Sequence, residues 1–280
     1  MSQSLSTQPA RAARSARPTR STGGSALAHT AFLTARLLRG FWRMPVYLVM
    51  NLVQPMIWLL LFGQLFKSVA DIPGFSSGSY VNFMTPGIVM MMALFGSAWA
   101  GTTYIQDMAR GVMDRFLTSP TSRGALMVST MLFQAVLTII QTAVVLPIAW
   151  LTGATFDGGW SGLVILFAAA VLLTFVFSAL SNAVALMARE QTALIGISQL
   201  LSFPLMFLSS AIMDTRLSPQ WVRDVARFNP FEWAVAAGRG ALTASPDWGS
   251  VWGHLGLLAG LAVVMGGLAT AAFRAYQRSA

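Results

Sequence analysis

The chain has 280 residues, of which 55% are hydrophobic and 10% charged, with a mean hydropathy of +0.64. Soluble domains carry about a quarter charged residues, so this composition excludes one and describes a polytopic, all-α membrane protein. The absence of Cys removes disulfides, thiol catalysis and Cys-based metal sites, and two isolated histidines, His29 and His254, do not build a metal centre alone. A net charge of +9 would suggest nucleic acid as partner of a soluble protein; here its placement relative to the membrane decides first.

Residues 1–26 are mostly Ser, Ala, Thr and Arg, without an acid and with almost no large apolar side chain, the composition of a disordered cytosolic tail. Such a start also resembles an organelle transit peptide, although the same arginines satisfy the positive-inside bias. Over 27–44 the spacing predicts an amphipathic interfacial helix, with Arg36, Arg39 and Arg43 within about 60° and Leu33, Leu37, Leu38 and Phe41 opposite. The plainer reading is the solvated start of the first span. A transmembrane domain is expected over 45–275, with 276–280 a second cytosolic tail, and spans at about 46–66, 81–105, 125–151, 163–187, 192–212 and 251–273.

The first span carries Asn51, Gln54 and Pro55 and is followed by Lys67, the only lysine. A phosphate-cradling P-loop needs G-x-x-x-x-G-K-[ST], and Phe66 stands where the last Gly is required, so the chain is expected to be no ATPase itself. The second span holds Met90, Met91, Met92, Phe95 and Trp99, a cluster that fits either plain packing or contact with varied apolar ligands. Between spans two and three lies a concentration of charge. Asp107, Arg110, Gly111 and Asp114 share one face of an expected polar helix over 107–117, with Ala109, Val112, Met113 and Phe116 on the other. Arg115 adds a further charge, Pro120 ends the helix, and Arg123 precedes the third span. A solvated positive-inside loop is the alternative.

Gln134, Gln141 and Pro147 lie in the third span, and Arg189-Glu190 marks a tight turn between the fourth and fifth. The fifth carries Gln199, Ser202, Phe203 and Pro204, where the proline either frees backbone groups beside a path or simply kinks the helix. A substrate path between spans two and five is therefore expected to use Met91, Phe95, Trp99, Gln199, Ser202 and Phe203. Before the last span, Ser218-Pro219 opens a short helix with Trp221, Val225 and Phe228 on one stripe. Asn229-Pro230 opens a second, with Glu232 placed as in a capping box and Arg239 on the same face as Glu232. Gly256, Gly260, Gly266 and Gly267 suit the last span to close packing.

With six spans and both termini inside, 13 basic residues fall on the cytosolic side and five, Lys67, Arg216, Arg223, Arg227 and Arg239, outside, as the positive-inside rule requires. The charge is then accounted for by topology, and nucleic acid is not needed as a partner. Arg far outnumbers Lys, which points to a GC-rich, bacterial genome and hence to an inner or plasma membrane.

Four stretches in order carry a family resemblance: Pro55 to Gly63, Tyr80 to Gly87, the charged pattern Asp107, Gly111, Met113 to Phe116, Pro120 and Arg123, and Phe207 to Ser210 with Asn229-Pro230. Together they resemble the permease subunits of ABC type-2 exporters, particularly the drug-resistance branch. The resemblance implies a separate ATP-binding subunit that supplies ATP and Mg, and a dimer with a second permease copy. It further implies that the cytosolic helix over 107–117 couples the chain to the ATPase, with short external helices before the last span and export of a drug, lipid, glycolipid or polysaccharide. An apolar path favours a hydrophobic or amphipathic substrate, surrounded by membrane lipids. Arg189 and Glu190 join the expected contact with the ATPase. The rival is an ion-coupled secondary transporter or a channel, which the shortage of ionisable residues near span centres disfavours.

Overall fold

The computed structural model describes residues 24–43, 45–66, 79–111, 123–213 and 218–279, and among them the secondary structure is helical, without strands. In chain order the helices are α1 (Gly24–Trp42), α2 (Pro45–Leu65), α3 (Tyr80–Ala98), α4 (Thr102–Ala109) and α5 (Arg123–Leu151). They continue with α6 (Gly159–Ala188), α7 (Gln191–Phe207), α8 (Gln220–Ala226), α9 (Pro230–Ala241) and α10 (Trp248–Ser279). Most of the amino-terminal tail, the loop after Phe66, and Asp114, Arg115, Phe116 and Pro120 lie outside the described residues.

Among the described residues, four stretches are long and apolar enough to cross a bilayer: Tyr80–Ala109, which joins α3 and α4, Gly124–Leu151, Gly159–Ala188 and Trp248–Arg274. Val49–Leu65 and Gln191–Phe207 are shorter apolar helices. Helix α6 is apolar on every side and sits at the centre, packed against α3, α5, α9 and α10, as expected of a helix with no solvated face. Helix α9 also enters the bundle. Its Phe231, Ala234, Val235, Ala237 and Ala241 are buried, and a Cβ at Gly162 of α6, or at Gly158 which caps it, would collide with the Ala241 carbonyl. Small residues thus let the two backbones meet.

Several expectations change. The helix expected over 107–117 does not run through, because α4 ends at Ala109, Arg110 caps it and Gly111 takes φ +66°, the left-handed setting that glycine supplies at helix ends. Asp107 therefore belongs to the last turn of a helix that prolongs the second span. The second span is itself broken at Trp99 to Gly101. The fifth expected span stops at Phe207, where Asn229 Nδ2 donates to the carbonyls of Leu205 (2.7 Å) and Leu208 (3.0 Å) and closes the helix end. Asn229 Oδ1 accepts from Phe231 N at 2.9 Å, so one buried amide caps the end of α7 and the start of α9. The capping box is not made, because Asn229 caps the second N–H of α9 rather than the third. The Asn229 N–H donates to Ala226 O, and the Glu232 carboxylate is taken by Ser210 instead.

Helix α8 starts at Gln220, with Pro219 at the cap, and leaves Trp221, Val225 and Phe228 exposed. The turn between α6 and α7 is Arg189 and Glu190 alone, as expected, with Arg189 held at φ 55°. Helix α1 begins earlier than expected and lays Thr30, Leu33, Thr34 and Phe41 on α5, with Phe41 edge-on to Phe133 at 6.1 Å. Arg39 and Arg43 stay exposed.

The connection after α7 is gripped from three sides. Tyr80 OH donates to Ile212 O (3.1 Å), Glu232 and Arg239 close on Ser210, and a Cβ at Gly87 of α3 would collide with the Ala211 carbonyl. Gly87→Ala is expected to push this turn off α3 at a cost of about 1–3 kcal/mol, read as a lower melting temperature in detergent, because the obstacle is backbone and cannot swing aside.

Candidate functional site

A cavity of about 510 Å³ opens between α2, α3 and α7, within the size range of small-molecule sites. Helix α3 supplies Met91, Met92, Phe95, Gly96 and Trp99 to its wall. Helix α7 supplies Gln199, Phe203, Met206 and Phe207, a stripe at i, i+4, i+7 and i+8. Asn51, Gln54, Pro55 and Trp58 come from α2, and Gln141 from α5. Among the described residues, the lining carries four amide side chains among aromatic and thioether groups, and no charged one. Phe95 and Phe203 face each other across it edge-on, with ring centroids 5.7 Å apart. Such a wall offers polarizable contacts and a few neutral hydrogen-bonding groups; an unpaired charge entering it would lose its hydration without a counter-ion.

Five of the six residues expected on the path, Met91, Phe95, Trp99, Gln199 and Phe203, meet in this cavity. Ser202 does not. It is buried beside Ala98, Phe177 and Ser181, because its position on α7 is turned about 60° from Gln199 and faces α6. Asn51, Gln54 and Gln141, which the sequence shows only as polar residues within spans, join the five in the cavity. Their cost in an apolar span is the signal that would have placed them here, since such amides turn toward a partner or a cavity.

An aromatic ladder leads from the cavity to the far end of the molecule. Trp58, Phe62, Phe66, Tyr80 and Phe83 follow one another with centroids 4.7, 5.5, 5.6 and 6.3 Å apart, and the Arg239 guanidinium lies 3.7 Å over the Phe83 ring. Arg239 donates to Ser210 Oγ (2.9 Å), Ser210 O (2.7 Å) and Phe83 O (3.0 Å). Glu232 accepts from Ser210 N (2.6 Å) and Ser210 Oγ (2.9 Å), so the two charges expected on one face of α9 are joined through Ser210. Nearby, Asn82 donates to Thr155 Oγ1 and accepts from Thr155 N, both at 2.8 Å, which fixes the link between α5 and α6.

At the opposite end, Arg36 of α1 lines the same crevice as Asp107, Tyr104 and Leu126. Arg110 is exposed where α4 stops, and Arg189 and Glu190 are exposed where α6 stops. Helix α4 lies along the last turns of α6, Gly101 standing against Ser181 and Ala185, so these charges gather at one end of the bundle.

The family model described as ABC-2 type transporter matches residues 29–243, from within α1 to just beyond α9. The chain belongs to the ABC-2 type transporter family. Among its relatives is the daunorubicin resistance ABC transporter permease protein DrrB1 of Streptomyces coeruleorubidus, 28% identical over 92% of this chain and 89% of that one. The probable doxorubicin resistance ABC transporter permease protein DrrC of Mycobacterium tuberculosis is 24% identical over 85% of each chain. The putative transport permease ycf38 of Porphyra purpurea is 29% identical over 77% of this chain and 74% of its own. This ABC-2 family protein is thus a multi-pass membrane protein of permease type. The matched region contains both the cavity and the charged end, and the knot around Ser210 lies within it as well.

Proposed function

We propose that this chain is the permease subunit of an ATP-driven exporter that moves a hydrophobic or amphipathic molecule, a drug, lipid or glycolipid, through the cavity between α2, α3 and α7. The observation that carries the reading is the uncharged, aromatic and amide-lined wall of that cavity. Membership of the family, and relatives whose names speak of drug resistance, support it.

The reading takes α2 and α7 as the two further spans, giving six. The charged end, with Asp107, Arg110, Arg189 and Glu190, then faces the cytosol together with both termini, in a bacterial inner membrane. Exposed Trp150, Trp160, Trp248 and Trp252 stand at the opposite ends of α5, α6 and α10, and Trp221 on α8, which suits an interfacial aromatic belt on the outer side. A separate subunit binds ATP and Mg and docks on the segment from Asp107 to Arg123, with α1 lying at the inner interface. Phe203 and Phe207 are exposed although they line the cavity, so a second permease copy, or lipid, completes the wall.

The test is purification from mild detergent with the ATP-binding subunit encoded beside it. Asp114→Arg is expected to lower the recovered ATPase by about tenfold or more, since a like charge set into a docking surface costs several kcal/mol. A chain that purifies alone and moves solute under an ion gradient would overturn the reading in favour of a secondary transporter.

A further inference from the structure

Between α3 and α4 the helical ladder is interrupted and rebuilt with side chains from two other helices. Ala100 N donates to Ser97 O, Thr102 N to Trp99 O and Thr103 N to Ala100 O, a stretch of i to i−3 bonds within a 30-residue apolar run. Two of the backbone groups freed by this break turn to side chains of other helices. The Gly101 N–H, which would reach Ser97 O, donates to Ser181 Oγ of α6 at 3.0 Å. The Ala98 carbonyl, which would receive Thr102 N, accepts from Ser181 Oγ at 2.6 Å and from Ser198 Oγ of α7 at 2.9 Å. Backbone groups freed inside a membrane have no water to turn to, so these two serines satisfy a break that would otherwise be costly.

The location of the break matters as much as its chemistry. Above it, Met91, Phe95 and Trp99 form the cavity wall, and Ser198 immediately precedes Gln199 on the facing wall. Below it, α4 leads to Asp107 and Arg110. Tyr104 OH shares a hydrogen bond of 3.2 Å with Thr130 Oγ1, which also accepts from Asn182 Nδ2 at 3.1 Å, so the first turn of α4 is pinned to α5 and α6. Gly101 lets α4 lie directly on α6, because a Cβ there would collide with the Ser181 carbonyl and stand 2.7 Å from Ala185 Cβ.

We infer that the Trp99 to Gly101 break is the joint that turns movement of the charged end of α4 into a change of the cavity wall, and that Ser181 and Ser198 are the positioning residues that transmit it. Through the Ala98 carbonyl they tie α3, α6 and α7 at one point, so a tilt of α4 reaches both walls at once. The inference rests on the proposal that the ATP-binding subunit acts on the charged end.

The natural chain has no cysteine, so a single introduced cysteine is the one maleimide target on this chain, read on its own band after separation from the ATPase. Gln106→Cys reports on α4, where Gln106 is exposed, and Gly96→Cys on the cavity wall, where a Cβ meets nothing within 4 Å. The full chain with its co-purified ATPase, in nanodiscs, is labelled with a membrane-permeant maleimide, with and without Mg-ATP and vanadate. With both serines in place, trapping is expected to change the labelling rate at each position by roughly three- to tenfold, a shift on the scale set by one hydrogen bond. In Ser198→Ala, and in Ser181→Ala if it folds, Gln106→Cys keeps its response and Gly96→Cys loses most of it; Ser198→Thr restores it. An unchanged response at Gly96→Cys in the alanine variants, or no rescue by threonine, overturns the joint while leaving the docking proposal intact. No response at Gln106→Cys in the chain with both serines removes the docking proposal and the joint with it.

Discussion

Arg239→Ala is expected to destabilise this chain by about 3 kcal/mol, sharply lowering the yield of monodisperse protein in detergent. The guanidinium is held by three oxygen acceptors on two other segments and lies over Phe83. Removing it strips Ser210 O and Phe83 O of a donor and leaves Glu232 without the nearby positive charge. Arg239→Lys keeps the charge but cannot bridge Ser210 and Phe83 with a planar fork, so an intermediate loss is expected. The pH dependence separates charge from packing. Burial raises the Glu232 carboxyl above its ordinary value, while the Ser210 hydrogen bonds and Arg239 pull it down. A carboxyl whose folded value is raised contributes stability below its unfolded value and loses it as pH rises through the folded one. Without Arg239 the folded value rises further. The Arg239→Ala deficit in melting temperature should therefore be smaller near pH 5 than near pH 7.5, and this difference should vanish in a Glu232→Gln background.

How much of this was legible from sequence depends on the range of the interaction. Apolar runs, the Arg189-Glu190 turn and the Asn229-Pro230 helix start are local, set by hydropathy and capping within a few residues, and they stand close to where they were expected. The cavity was half legible. Met91, Phe95 and Trp99 lie on one stripe of α3 and Gln199 and Phe203 on one stripe of α7, but which stripe faces inward is fixed by packing, and Ser202 was placed on the wrong side for that reason. Tertiary exchange of hydrogen bonds was invisible. Glu232 has capping-box spacing yet bonds Ser210, and Ala98 gives up its helical donor to two serines more than 80 positions away in sequence. A run of small residues from Gly96 to Gly101, around Trp99, was the one local hint of the break.

Gly96→Phe is expected to lower export about tenfold or more while the protein folds at least as well as the parent, and the contrast with Gly87→Ala on the same helix explains why. At Gly87 an added carbon meets the Ala211 backbone; at Gly96 it meets open space in the cavity. Replacing a helical glycine removes up to about 1 kcal/mol of helix-propensity cost, so the Gly96 series should stabilise α3 even as it fills the path. Gly96→Ala, Gly96→Leu and Gly96→Phe should therefore depress ATP-driven uptake of a lipophilic dye into inverted vesicles in that order, with the amount of assembled complex unchanged. A block that grows with side-chain volume while stability holds marks the cavity as the route. Undiminished transport by Gly96→Phe would move the route to another face of the bundle, and the uncharged wall between α2, α3 and α7 would then be lipid-facing packing.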